Sequence, residues 1–318
     1  MKEFDFIRRY LNRQQSDNEV LLGIGDDAAI VHPQSGFDLC FSSDLLLSER
    51  HFFKDVAPAD LAHKVLAVNI SDMAAMGANP RWALLSVALP KLDPDWLSQF
   101  CDSLFSLANR FGVTLIGGDT TKGELIFNVT IVGELPRGQG LLRSSAKIGD
   151  DIWVSGNVGS AAAALAQLRG KITLPEQIQN QCMQALLKPE PRVTLGQDLL
   201  SIAHAAQDIS DGLAQDIGHI LEASGVGAEI DVNCLPVLTE LKRAMPDYLW
   251  QQWALAGGDD YELVFTAPRD RRDEILTAAR IAQTPVSCIG SINNGNRLAI
   301  YSNGCELTLT SLGYDHFG

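Results

Sequence analysis

No apolar run in this 318-residue chain approaches the roughly 20 residues that a bilayer span requires. The most apolar stretch, Ile152 to Leu168, is broken by Ser155, Gly156, Asn157 and Gly159. The opening residues, Met1-Lys-Glu-Phe-Asp-Phe-Ile-Arg-Arg, interleave charges with apolar side chains and lack the apolar centre of a signal peptide. Cysteine is sparse: six lie far apart, at 40, 101, 182, 234, 288 and 305, with no C-x-x-C and no Cys/His cluster. That pattern argues against zinc and fits reduced thiols. Basic side chains are outnumbered, 25 Lys and Arg against 39 Asp and Glu, for a formal charge of −14. A strong acidic excess excludes nucleic acid or an anionic membrane as the main partner, since both need basic patches. Low-complexity tracts and short repeats are also missing, so disorder and solenoids are excluded. The expectation is a soluble, cytoplasmic protein.

A hydrophobic fraction of 46% is present, enough for a real core at this length, and two domains of ordinary size are expected. The turn-rich stretch Pro136-Arg-Gly-Gln-Gly140 marks the boundary, giving domains 1–137 and 138–318. Residues 1–147 carry 18 acidic and 14 basic side chains, and residues 148–318 carry 21 and 11, so neither half is basic. Periodicity predicts a helix over Pro58–Met76 and another opened by Asp93-Pro94 and closed by Gly112, with Trp96, Leu97, Phe100, Leu104 and Leu107 on one face. Strands are expected at Val113–Ile116 and Leu125–Val132, flanking a turn at Gly117–Gly123. In the second half, Ile152–Ser155 and Tyr261–Thr266 read as strands. Ser160–Leu168 reads as a helix, and Ser210 caps another that runs to about Glu222. The mixture places the chain in the α/β or α+β class.

The acidic residues stand out by position. Asp26 and Asp27 follow Val20-Leu-Leu within Gly23-Ile-Gly-Asp-Asp-Ala, and Asp44 ends the strand-like Leu39-Cys-Phe-Ser-Ser-Asp. Asp72 interrupts an apolar helical segment. Asp119 follows Gly117-Gly118, Asp208 and Asp211 bracket Ile209-Ser210, and Asp259-Asp260 follow Gly257-Gly258. Short carboxylates on rigid elements are what a hard divalent cation requires, and buried ones need such a counter-charge. Ser42, Ser43, Thr120 and Ser210 add hydroxyl oxygens beside them, and an all-oxygen set favours magnesium. Each residue taken singly has a plainer reading. Asp72 is compatible with a hydrogen bond to Asn69. Asp211 and Ser210 are compatible with a helix start, Gly257–Asp260 with an ordinary turn, and His51 and Arg143 with solvated surface. Accumulation of the junctions favours metal-assisted phosphate chemistry.

Other phosphate signatures are weak or missing. No G-x-x-x-x-G-K-[ST] occurs. Gly23–Ala28 is a poor dinucleotide fingerprint, because two aspartates would face a pyrophosphate. Gly156-Asn-Val-Gly159-Ser suits either an anion at a helix N-terminus or a tight turn. No nucleophile elbow or protein-kinase signature is present.

Seven segments, in order along the chain, carry a resemblance. They are Gly23-Ile-Gly-Asp-Asp-Ala28, Ser42-Ser-Asp44, Asp60–Ala78, Leu115-Ile-Gly-Gly-Asp-Thr-Thr121, Asp208-Ile-Ser-Asp-Gly-Leu213, Gly257-Gly-Asp-Asp-Tyr-Glu-Leu263 and Gly313-Tyr-Asp-His-Phe317. Together the set resembles the thiamine-monophosphate kinases of the aminoimidazole-ribonucleotide synthetase-like (PurM-like) superfamily. The resemblance implies a two-domain fold, with a mixed sheet and helices in the N-terminal domain and an α+β C-terminal domain. The N-terminal half would bind ATP and metal and pair two copies into a homodimer. It also implies transfer of the ATP γ-phosphoryl group to thiamine monophosphate, the last step of thiamine diphosphate synthesis, without a protein nucleophile or base. Asp27, Ser42, Ser43, Asp44, Asp72, Asp119, Asp208 and Asp211 would hold several Mg2+ ions. Gly118, Asp119, Arg143 and Ser210 would contact ATP, and His51, Asp259, Asp260 and Tyr314 the thiamine-phosphate side. Three places depart from the pattern: Asp259 stands where Glu is usual, Ser145 where Gly is common, and Ser42-Ser43 where Ser-Thr or Thr-Thr is more frequent, which keeps the oxygen ligands.

Overall fold

The computed structural model describes residues 3–14 and 17–316, so Met1, Lys2 and Phe317 of the segments quoted above lie outside it. The chain divides into two compact units, Met1–Met73 with Ala78–Gln139, and Ala74–Gly77 with Gly140–Gly318. Both mix strands with helices, in keeping with the expected class. Among the described residues no helix is long and apolar enough to cross a membrane.

In the first unit, a short helix α1 (Glu3–Phe6) and the small antiparallel pair β1 (Val20–Leu22) and β2 (Ile30–Val31) precede the main sheet. That sheet contains β3 (Phe37–Leu47), β4 (Asn79–Leu89), β5 (Thr114–Lys122) and β6 (Ile126–Pro136), in the order β3-β6-β4-β5. Helices α2 (Pro58–Met76) and α3 (Pro94–Phe111) form where periodicity predicts them. Asp93 caps α3 by accepting from Asp95 and Trp96 N–H, and Gly112 closes it in the left-handed region. The apolar stripe of α3 is buried at Leu97, Phe100, Leu104 and Leu107, and Phe100 stacks on Phe127 of β6 at 4.9 Å.

The expected turn at Gly117–Gly123 is not there. Strand β5 continues through both glycines to Lys122, paired in parallel with β4 as far as Leu89. Gly118 has φ +142°, and a Cβ at that position would lie 1.9 Å from Leu85 O. Its glycine serves a close backbone approach beside a bulge, which sequence reading mistakes for a turn.

The second unit is built on a seven-stranded sheet, ordered β13-β12-β9-β11-β7-β10-β8. Its strands are β7 (Asp151–Ser155), β8 (Ala205–Asp208), β9 (Gly227–Asp231), β10 (Leu263–Ala267), β11 (Val286–Asn293), β12 (Leu298–Ser302) and β13 (Cys305–Glu306). Helices α4 (Ser160–Leu168), α5 (Glu176–Leu187), α6 (Val193–Leu199), α7 (Leu213–Ser224), α8 (Thr239–Ala244), α9 (Asp247–Ala256) and α10 (Arg272–Ile281) complete it. Ile152 and Val154 of β7 join Ala161 and Ala164 of α4, Ile217 and Ile220 of α7, and Leu255 of α9 in one core. Two boundaries differ from expectation. Helix α7 starts at Leu213 with Gly212 rather than Ser210 as its cap, and β10 starts at Leu263 rather than Tyr261. Tyr261 has φ +49°, which takes it out of the extended region.

Candidate functional site

Two groups of the expected residues form, one in each unit. In the first unit, the two-residue period of β3 places Ser42 and Asp44 on the face that meets α2. The three-residue spacing of Asn69 and Asp72 puts both on the facing stripe of that helix. Ser42 Oγ donates to Asp72 Oδ2 at 2.6 Å, and Asp44 N–H donates to Asn69 Oδ1 at 3.0 Å. Asn69 Nδ2 donates to Val65 O at 3.0 Å, so the amide of Asn69 serves both β3 and its own helix. Ser43 points to the other face, where its Oγ donates to Val129 O and accepts from Asn128 Nδ2. Asp119 lies on β5, the opposite edge strand, about 14 Å from β3 along the sheet. Asp27 sits on the exposed loop between β1 and β2, where its N–H donates to Asp26 Oδ1. His51 Nδ1 accepts Leu47 N–H at 3.0 Å, which makes Nε2 the protonated, donating nitrogen of the ring.

Among the described residues no three His, Cys, Asp or Glu side chains converge on one point. Ser42 with Asp72, and Asp44 next to them, nevertheless fit a magnesium ion. That ion dehydrates reluctantly and is held by one or two carboxylates, completing its shell with water and substrate phosphate.

In the second unit, Asp208 ends β8, 5% exposed and paired with Leu263. The turn after it, Ser210-Asp211-Gly212, receives two other segments. Ser210 O accepts Asp259 N–H at 2.8 Å, and Asp211 O accepts Tyr314 N–H at 2.9 Å. Asp211, Asp259 and Tyr314 are thereby brought together, with Tyr314 edge-on to His316 at 5.0 Å. Burial pushes the Asp211 carboxyl up, while His316 and His219 draw it down and Asp259 and Asp315 add to the rise. Asp259 has φ +71°, a strained setting for a non-glycine residue of the kind that gathers at functional sites. Gln215 Nε2 reaches Tyr314 O at 3.2 Å and ties the C-terminal segment to α7.

Asp260, expected on the thiamine-phosphate side, is 7% exposed and turned inward. Its Oδ2 accepts Gly159 N–H at 2.8 Å at the start of α4. The anion suited to the Gly156–Gly159 turn is therefore the chain's own carboxylate. Burial pushes Asp260 well above the usual carboxylate range in spite of that bond. Arg143 is exposed on a single 3-10 turn, Arg143–Ser145. Ser224, at the end of α7, holds the turn: its Oγ donates to Arg143 O at 2.7 Å and accepts Ala146 N–H at 3.1 Å. Ser224→Ala removes both bonds, and a loss of about 1–2 kcal/mol is expected in denaturant unfolding. An unchanged unfolding free energy would show that Ser224 does not hold the turn.

Sequence reading missed Asp216, which is fully buried in α7 and accepts the N–H groups of Ser210, Asp211 and Gly212. The signal was available, since Asp216 breaks the apolar face of Leu213, Ile217 and Ile220 as Asp72 breaks that of α2. The missed pair Arg192–Glu262 locks the residue after Tyr261, with Arg192 Nε 2.7 Å from Glu262 Oε2.

A family model described as "AIR synthase related protein, N-terminal domain" matches residues 25–135. A second, "AIR synthase related protein, C-terminal domain", matches residues 147–303. The thiamine-monophosphate kinase of Salmonella typhimurium is 44% identical over 318 residues, covering 99% of this chain and 98% of that protein. The crystal structure of the thiamine-monophosphate kinase from Stenotrophomonas maltophilia superposes with a TM-score of 0.84 at 42% identity, covering 95% of each chain. AaThiL complexed with AMPPCP and TMP superposes at 0.78 with 29% identity, covering 99% of this chain and 96% of that one. The likeness spans both units and the segments that carry the two residue groups, and the fold is the two-domain PurM-like one. The chain belongs to the thiamine-monophosphate kinase family of AIR synthase related proteins.

Proposed function

We propose that this chain transfers the γ-phosphoryl group of ATP to the phosphate of thiamine monophosphate, in line, giving thiamine diphosphate and ADP. The observation that carries this reading is the Ser42–Asp72 contact with Asp44 on the same face, in a chain alike over its whole length to thiamine-monophosphate kinases. The acceptor is already an oxyanion, so no residue has to generate a nucleophile. What remains is to hold two anions together in line. Mg2+, when bound, supplies positive charge that offsets the repulsion and stabilises the transferred group. Asp27, Ser42, Ser43, Asp44, Asp72, Asp119, Asp208 and Asp211 would hold several such ions among them. Gly118, Asp119, Arg143 and Ser210 would contact ATP. His51, through Nε2–H, would join Asp259 and Tyr314 on the thiamine-phosphate side, with Asp260 holding the Asp259 turn from within. The reaction would take place in the cytoplasm, as the last step of thiamine diphosphate synthesis.

The test is ADP release coupled to thiamine diphosphate formation, with a chiral γ-thiophosphate donor. Turnover with inversion at phosphorus is expected. No turnover with thiamine monophosphate overturns the substrate, and retention overturns direct transfer.

Residues 1–137 are proposed as the half that pairs into a homodimer. Edge strand β3 leaves Leu39, Phe41 and Leu45 exposed by 37%, 65% and 52%, an apolar edge that invites pairing. With β3 of one copy paired to β5 of the other, Asp44 and Asp119, on opposite edges of one sheet, would come together across the two copies. Mixing Asp44→Asn with Asp119→Asn protein in equal amounts, followed by subunit exchange, should then restore about a quarter of wild-type activity, since half the dimers are mixed and one of the two sites in each is intact. Absence of any recovery, or a monomer mass in sedimentation, rules the arrangement out.

A further inference from the structure

The backbone of the Ser210–Gly212 turn points in two directions. Its three N–H groups converge on a single atom, Asp216 Oδ2, at 3.1, 3.2 and 3.1 Å. The other carboxylate oxygen accepts Gln207 Nε2 from β8 at 2.8 Å. On the opposite side, the Ser210 and Asp211 carbonyls receive Asp259 and Tyr314. One buried side chain thus fixes the plane of three successive peptides, and those peptides in turn seat two further segments.

A carboxylate is an expensive choice for this position. Its neighbours on the same face of α7, Leu213, Ile217 and Ile220, are apolar and buried. Burial pushes the Asp216 carboxyl up to about 7, against the pull of its three backbone donors. Packing alone would favour an apolar residue, since a buried charge rarely improves on one. An ordinary side-chain cap at Gly212 is ruled out because φ there is +133° and the residue is glycine. The turn is instead held from inside the helix, which leaves the Ser210 and Asp211 side chains unencumbered by capping.

We propose that Asp216 is a positioning residue for phosphoryl transfer, acting through the Ser210–Gly212 turn to set where Ser210, Asp211, Asp259 and Tyr314 stand. This rests on the reading of Ser210 and Asp211 as ATP- and metal-facing groups. The relevant property is the place of an acceptor oxygen rather than its charge.

Asp216→Asn and Asp216→Glu separate the two. Asn has the same length and keeps one acceptor for the turn, and Gln207 Oε1, which lacks a partner among the described residues, can receive its amide after a flip. Glu keeps the charge but adds one carbon–carbon bond of about 1.5 Å to the reach. Both are compared with wild type by kcat, by KM for each substrate, by melting temperature and by amide hydrogen exchange. Asp216→Asn is expected to retain most of the rate. Asp216→Glu is expected to lose on the order of 10²-fold in kcat, raise the KM for ATP, and speed exchange at Ser210–Gly212 while β8 stays protected. The proposal is overturned if Asn loses as much as Glu, or if Glu keeps wild-type kcat and exchange. Should Asp216→Glu fail to fold, Asp216→Ser is too short to reach the three donors and must show the same losses; wild-type kcat and exchange in that variant overturn the clamp. Failure of the wild type to use thiamine monophosphate would refute the proposed function instead, and the exchange pattern then decides the clamp alone.

Discussion

Asp44→Asn and Asp72→Asn are each expected to lower kcat on the order of 10²-fold while leaving the protein folded. The fold should survive because the bonds described at these points do not require the carboxylate charge. Asp44 engages Asn69 through its backbone N–H, which the substitution leaves in place. Asp72 accepts from Ser42 Oγ at 2.6 Å, and an Asn oxygen accepts equally well. What each variant loses is one negative charge on the face shared by β3 and α2. If that charge holds magnesium, the Mg2+ concentration for half-maximal activity should rise in both variants, and raising Mg2+ should recover part of the rate. Melting temperatures within a few degrees of wild type would show that the loss is not unfolding. Rates within threefold of wild type, in folded protein at low Mg2+, would remove both residues from the metal site.

The second large effect is structural. Arg192→Ala should destabilise the protein by about 3–5 kcal/mol, because it leaves Glu262 buried without its counter-charge. Glu262 is 6% exposed, and it accepts Arg192 Nε at 2.7 Å and Ser155 Oγ at 2.5 Å. Burial opposes the guanidinium charge, yet bonding to Glu262 outweighs it and the pair holds Arg192 above its ordinary range. Glu262 O also accepts Ile209 N–H at 2.8 Å, so the segment leading from Asp259 into β10 is joined to the one that carries Asp208. Arg192→Met combined with Glu262→Gln should regain most of the lost stability, because no buried charge is stranded. A single Arg192→Ala variant within about 1 kcal/mol of wild type, by chemical denaturation, would contradict this account.

Several elements could be read from the chain because their determinants are local. Helix α3 was legible at both ends: Asp93 with Pro94 supplies its cap, and Gly112 its stop. The place of Asp44 at the end of a strand-like run and of Asp72 inside an apolar helical segment also sufficed to put both forward, with Ser42 as a neighbouring hydroxyl. Gly117–Gly118 misled for a definite reason. A glycine that permits a turn and a glycine that lets a neighbouring strand approach are the same residue in sequence, and only Leu85, distant in the chain, tells them apart. Ser210 misled similarly: it has the chemistry of a cap, but the Gly212 N–H it would have satisfied turns to Asp216.

The sequence by itself determined the class, the family resemblance and the set of carboxylates at element ends, because composition, periodicity and motif order are properties of the chain alone. Only the tertiary structure decided which of those carboxylates stand together. Asp72 meets Ser42, Asp211 meets Tyr314 through the backbone, and Asp119 stays on the far edge of its sheet. It also decided that Asp216 and Asp260 face inward, toward backbone N–H groups. Whether an aspartate serves solvent and ligand or serves its own fold depends on donors and apolar walls brought in from elsewhere in the chain, and no local pattern encodes that.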